Sequence, residues 1–256
     1  MKDEDKKAEA LSRRALLEEH RPERIHARLG QAPRSQRVSD FVLGAIDGCV
    51  TTFAIVAGAF GAGFSESVVL VMGFANLIAD GFSMAVSNYE AVSVEREQAD
   101  AAARTEGEHI ALVPEGEREE IRQIFQRKGF HGPVLGEIVA TITANRQLWI
   151  ETMLAEEYGI SRATRRPLGS AMITFIAFIG VGAIPLLPYL FPPLSLTEQF
   201  YSSSALAACT FLAIGLCKGL VFSQRAWLAG LKTLVFGSGA AVLALAVGFF
   251  LRGFIA

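Results

Sequence analysis

The 256-residue chain is 51% hydrophobic with a mean hydropathy of +0.35, which argues against a wholly water-soluble protein. Its formal net charge of −2 leaves no basic excess to displace counterions from a phosphate backbone, which argues against a nucleic-acid partner. Cys49, Cys209 and Cys217 all fall in apolar stretches and read as small buried hydrophobes, not as a disulfide framework or a CxxC metal site.

Residues 1–39 form a charged arm. The first 40 residues hold 10 Lys/Arg and 8 Asp/Glu without an apolar core, so no cleavable secretory leader is expected. Within the arm, Leu11, Ala15, Leu16 and Leu17 suggest a short amphipathic face near a membrane surface, interrupted at Pro22 and ended by Gly30 and Pro33. Residues 40–90 carry two apolar stretches, 41–60 with Asp47 inside it and 67–89 with Asp80, separated by a Gly-rich turn at 61–65. Residues 91–166 are polar, with 10 Lys/Arg and 13 Asp/Glu, and read as a three-helix insert. Its first helix continues from the second span to about Ile110, its second runs from Pro114 to Gly129, and its third starts near Pro133. In that third helix Val134, Ile138, Ile142, Leu148, Trp149 and Met153 keep a helical period up to a stop at Gly159.

Residues 167–256 supply three more spans, at 168–189 (weakened by Pro185 and Pro188), 200–222 and 229–250. The uncharged runs 168–197, 199–217 and 233–251 are 30, 19 and 19 residues long. At about 1.5 Å per residue each is long enough for a hydrocarbon core of roughly 30 Å. The expected fold is therefore all-α, an integral membrane protein with five transmembrane helices and a helical insert. Ten Lys/Arg in the arm and ten in the insert, against none at 61–66 or 190–199, put the amino terminus and residues 91–166 on the cytoplasmic side and the carboxyl end on the other.

An ionised carboxylate at mid-membrane costs about 2.5 to 3.5 kcal/mol on insertion scales, so Asp47 and Asp80 are functional candidates by default. No Lys or Arg lies in the first two spans to neutralise them, and the natural counter-charge is a transported cation or a proton. Gly44 and Gly48 form a small-xxx-small face, while Thr51, Thr52, Asn76 and Ser83 offer a polar lining. Met84, four residues past Asp80, adds a thioether on the same face, a mixed hard and soft set that suits a borderline transition metal. In the insert, Glu106-x-x-His109, Glu117-x-x-Glu120 and Met153 with Glu156 and Glu157 each put potential ligands on one helix face.

The stretches Asp40-Phe-Val-Leu-Gly-Ala-Ile-Asp47-Gly-Cys-Val-Thr-Thr, Ala75-Asn-Leu-Ile-Ala-Asp-Gly-Phe-Ser-Met84-Ala and Met153-Leu-Ala-Glu-Glu157-Tyr-Gly resemble the vacuolar iron transporter family and its bacterial relatives. That resemblance implies a homodimer with five membrane helices per subunit, a cytoplasmic three-helix metal-binding domain and proton-coupled removal of Fe²⁺ from the cytosol. It implies that Asp47 and Met84 are pathway ligands at the dimer interface and that Asp40 is the acid near the cytoplasmic mouth. Glu106, Glu117, Glu120, Met153 and Glu157 become the metal ligands of the insert. Three positions depart from the family pattern: His109 and Asn76 stand where Glu is common, and Leu154 where a second Met is usual.

The resulting expectation is a divalent metal/H⁺ antiporter, not an enzyme. Fe²⁺ is the leading cargo, and Mn²⁺, Co²⁺ and Zn²⁺ are candidates because similar ligands bind all of them. A bacterial plasma membrane is the first expectation and a vacuolar membrane the second. Two rivals stand beside it. A membrane-attached di-iron oxidase would use the insert as a ferritin-like centre, but the insert holds a single Glu-x-x-His where such centres use pairs. A purely structural membrane scaffold would need neither Asp47 nor Asp80.

Overall fold

A computed structural model describes residues 17–18, 20–29, 35–160, 165–191, 193–222 and 225–255, and every described element is helical. The chain divides into two compact units, the first ending at Gln36 and the second starting at Arg37. In the first unit residues 17–18 are helical, 20–21 form a turn, and Pro22 opens helix α1 (Pro22–Leu29). Proline suits a first helical turn, where its missing N–H is not needed. The amphipathic face expected in the arm lies outside the described residues, apart from an exposed Leu17.

Helix α2 (Ser35–Ala62) starts nearly two turns before the apolar stretch expected from position 41. After a turn at Gly63, whose φ of +77° is the left-handed region, comes α3 (Glu66–Leu112), 47 residues without a break. At about 1.5 Å per residue that rod is roughly 70 Å long, far more than a bilayer core requires. Val113 (φ −135°, ψ 53°) ends it and Pro114 starts α4 (Pro114–Arg127) at once. Then come α5 (Gly132–Thr143), α6 (Arg146–Glu156), α7 (Pro167–Gly182), a 3-10 turn at Ile184–Leu190, α8 (Leu196–Val221) and α9 (Ala226–Ile255). Among the described residues, five helical stretches are long and apolar enough to cross a membrane: Arg37–Ala62, Glu66–Leu112, Pro167–Leu190, Leu196–Val221 and Ala226–Phe254.

The third helix expected for the polar segment is two helices. Asn145 is non-helical and its Oδ1 accepts hydrogen bonds from the N–H groups of Gln147 (3.0 Å) and Leu148 (3.2 Å), capping α6. Asparagine satisfies two orphan donors there, which outweighs continuing the apolar period. Together with the outer part of α3, the segment thus holds four helical pieces. They enclose one apolar cluster, with Ile110 from α3, Ile121 from α4, Val139 and Ile142 from α5, and Trp149, Ile150, Met153 and Leu154 from α6.

A second cluster joins the apolar helices through Cys49, Phe53 and Val56 of α2, Val69 of α3, Leu186 and Tyr189 of the 3-10 turn, Phe211 of α8 and Ala241 of α9. Cys49 is buried as expected. Cys209 and Cys217 are not: both are exposed on α8, whose apolar surface faces outward at those positions. Gly44 and Gly48 set how near α2 comes to α7, because a Cβ at either would meet the backbone carbonyl of Thr174 or Phe178. That is the close approach a small-xxx-small face allows. Replacing Gly48 by Val should therefore push the helices apart and cost about 1–3 kcal/mol. Thermal unfolding of the purified protein in detergent should drop by several degrees, at roughly 2–4 °C per kcal/mol.

Candidate functional site

The end of α3 and the start of α4 build a compact donor group. The immediate reversal at Val113–Pro114 folds α4 back, bringing Glu117 from its first turn against Glu106 and His109, one helical turn apart on α3. The His109 Nδ1 lies 3.4 Å from Glu117 Oε1 and 3.8 Å from Glu106 Oε1. One ligand atom from each of the three residues falls within 4.8 Å of the others, a grouping able to hold a metal ion. Glu106 and Glu117 are buried, His109 is half exposed, and Oε2 of both glutamates is buried without a hydrogen-bond partner. Two buried acids sharing one imidazole are short of positive charge, and a divalent cation would supply it.

The electrostatics carry the same message. Burial, then the charges of Glu106 and Glu120, push Glu117 up to about 7. Burial and the same two carboxylates raise Glu157. Glu120 and Glu157 thus lie within electrostatic reach of the group. Met153 is fully buried in the apolar cluster with Ile110 and Ile121, and Glu156 turns to an ion pair with Lys128. The phenol of Tyr158, which the sequence reading passed over, donates to Glu106 Oε1 at 2.9 Å, and that carboxylate pushes its pKa up to about 12. A second Glu-x-x-His spacing, Glu23 with His26, was also passed over; it falls on α1 in the other unit.

The second site is a groove of about 650 Å³ among the apolar helices, lined by Asp47 of α2 and Met84 of α3. Asp80 is half-buried and close enough to Asp47 for their charges to act on one another. Asn76, Asp80, Met84 and Asn88 recur every four residues along α3, so polar groups follow one face of that helix. Asn76 keeps a buried, unpartnered amide nitrogen, and Thr52 a buried, unpartnered hydroxyl. Thr51 instead turns its hydroxyl to the Asp47 carbonyl (2.9 Å), and Ser83 is exposed. The basic residue absent from the first two spans comes from α8, because Lys218 lines the same groove. Among the described residues it makes no ion pair with Asp47.

Asp40 stands differently. It is 3% exposed, and its Oδ1 accepts from Arg165 Nη2 at 2.5 Å and from Asn88 Nδ2 at 3.2 Å. The same Asn88 nitrogen donates to Thr174 Oγ1 (2.7 Å), whose hydroxyl donates to the Asp40 carbonyl (3.3 Å). Arg165 also reaches Glu95 at 3.5 Å. This network ties α2, α3 and α7 to the chain leading out of the polar helices, and it supplies Asp40 with a fixed cation. Two such donors from distant parts of the chain could not be read from local spacing.

A helical membrane protein with an acid- and thioether-lined groove, and a carboxylate–imidazole group on an extended helix, is the class these features define. The family model described as the VIT family matches residues 38–249, and the chain belongs to that family. Vacuolar iron transporter 1 of Eucalyptus grandis is 30% identical over 236 residues, 92% of each chain. Vacuolar iron transporter 2 of Oryza sativa subsp. japonica is 30% identical over 232 residues, 90% of this chain and 91% of its own. The vacuolar iron transporter of Toxoplasma gondii is 34% identical over 157 residues, 59% of this chain and 51% of its own. These relatives are named as transporters.

The raised Glu117 makes metal-free stability depend on pH with a definite sign. A carboxylic acid whose folded pKa (about 7) exceeds its unfolded value (4.5) favours the fold below 4.5 and loses that contribution as pH rises through 7. The loss is on the order of 3 kcal/mol at about 1.36 kcal/mol per unit. With chelator present, unfolding followed through the buried Trp149 should shift to lower temperature between pH 4.5 and 7.5, and Glu117→Gln should flatten the trend. A wild-type profile identical to that of the variant would show that Glu117 is not the cause.

Proposed function

We propose that the protein is a divalent metal/H⁺ antiporter that moves Fe²⁺ out of the cytoplasm. The single observation that carries the reading is that Asp47 and Met84, on different helices, open into one groove in the membrane-spanning part of the fold. A carboxylate and a thioether together favour a borderline transition ion over Na⁺, Mg²⁺ or Ca²⁺, and family membership and the names of the relatives support iron as cargo. Residues 91–166 stand on the cytoplasmic side and gather metal on Glu106, His109 and Glu117, with Glu120, Met153 and Glu157 completing the set. Asp47 and Met84 pass the ion across, Asp80 and Asn76 extend the polar face of α3, and Asp40 guards the cytoplasmic mouth. A proton returns on a vacated carboxylate. A second copy of the chain closes the open groove, giving a homodimer with its pathway between subunits. Residues 1–39 form an arm, 40–90 and 167–256 the membrane helices, and the membrane is that of a bacterial cell or a vacuole.

The oxidase alternative gains nothing from the geometry: the donor group holds one imidazole, and a paired Glu-x-x-His centre needs two. In proteoliposomes with an imposed pH gradient, Asp47→Asn should reduce Fe²⁺ flux to background while the protein still elutes as folded material. Full flux in that variant would reject the groove as the pathway. Glu106→Ala with Glu117→Ala should weaken binding of Co²⁺ or Mn²⁺ to the full-length protein by at least about tenfold. An unchanged titration would reject the donor group.

A further inference from the structure

Among the described residues, Tyr158 is the only side chain outside the Glu106–His109–Glu117 group that donates a hydrogen bond to it. Its placement follows from how α6 ends. The Glu157 N–H closes the last turn on the Met153 carbonyl, Gly159 takes a φ of +65°, and the Ile160 N–H returns to the Leu154 carbonyl at 2.9 Å. The reversal leaves Tyr158 facing α3, 52 residues earlier in the chain. Tyr158 is itself 40% exposed, so water could satisfy its hydroxyl and its own burial does not demand this partner. The effect of the bond falls on Glu106, which is 1% exposed and has one oxygen engaged and the other orphaned.

We propose that Tyr158 is a positioning and specificity residue: by donating to Oε1 of Glu106, the oxygen that also faces His109, it keeps that carboxylate from binding a metal through both oxygens, and so disfavours Ca²⁺ relative to smaller transition ions. This rests on the reading of Glu106, His109 and Glu117 as a metal centre. Ca²⁺ takes six to eight oxygens at about 2.3–2.6 Å and gains from carboxylates that bind through both oxygens. A carboxylate already committed to a phenol can adopt that mode only by losing the hydrogen bond. A transition ion held by an imidazole and single carboxylate oxygens needs no such sacrifice. Groups that orient a metal's ligands in this way typically change affinity by about 10–100-fold when removed.

The test uses full-length protein in detergent, titrated with Co²⁺ followed by its visible absorption, alone and against competing Ca²⁺. Glu106→Ala defines the signal belonging to this centre. Tyr158→Phe removes the hydroxyl and keeps the ring and its packing. Its Co²⁺ affinity should fall about tenfold, while Ca²⁺ competes as well as before or better, so the Co²⁺/Ca²⁺ preference shrinks. The Co²⁺ bands should also weaken as coordination number rises. A purely structural tyrosine would lower both affinities by the same factor and leave the band shape alone, and that result would overturn the proposal. If wild type and Glu106→Ala titrate alike, the metal centre fails and Tyr158 with it. If Glu106→Ala loses Co²⁺ binding while Tyr158→Phe behaves as wild type, the tyrosine role alone fails.

Discussion

A carboxylate taken out of water must be given a positive partner, a proton or a hydrogen-bond donor, because its desolvation otherwise costs several kcal/mol. Each acid of interest here meets that demand differently. Asp40 has a permanent answer in the Arg165 guanidinium and the Asn88 amide. Glu106 and Glu117 have a partial one, with Tyr158 and an exposed imidazole serving two buried carboxylates whose second oxygens stay empty. Asp47 has none fixed in place among the described residues, only a groove that Lys218 also reaches. A cation that comes and goes has a reason to visit the second and third, and must displace an arginine to reach the first.

The helices that hold these acids follow from simple patterns. Uncharged runs long enough to cross a bilayer located the last three apolar helices to within about two turns, and the prolines at 185 and 188 marked where α7 gives way to a 3-10 turn. Local chemistry also foretold the close packing of Gly44 and Gly48 and the start of α4 at Pro114. The break at Asn145 was hidden because apolar positions continue across it, from Ile142 to Leu148, so period alone ran the two helices together. Exposure on α8 was misjudged at Cys209 and Cys217 because apolar character does not tell a helix face turned to the protein from one turned outward.

At the donor group, spacing found Glu106, His109 and Glu117 because ligands on one helix face recur at three or four residues. Tyr158 and Arg165 were invisible to the same rule. Their partners lie 52 and 125 residues away, and only the reversal at Gly159 and the return of the chain to α7 bring them together. Asn88 had a readable signal in its four-residue interval from Met84, but an amide on an apolar helix does not announce which carboxylate it serves.

The continuity of α3 sets how the two sites can be related. Met84 and Glu106 ride the same unbroken helix 22 residues apart, about 33 Å along its axis. No single ion spans that distance, so on the transport reading the outer group is a collecting site and the groove a separate station. A rod without proline or a broken turn between them carries a tilt at one end to the other, with the swing growing with distance from the pivot. The Asp40 network grips this rod between the two stations, at Asn88 through Asp40 and Thr174 and at Glu95 through Arg165. A cation that displaced Arg165 from Asp40 would also take the arginine from Glu95, and would leave the Asn88 amide as the tie between Asp40 and α3.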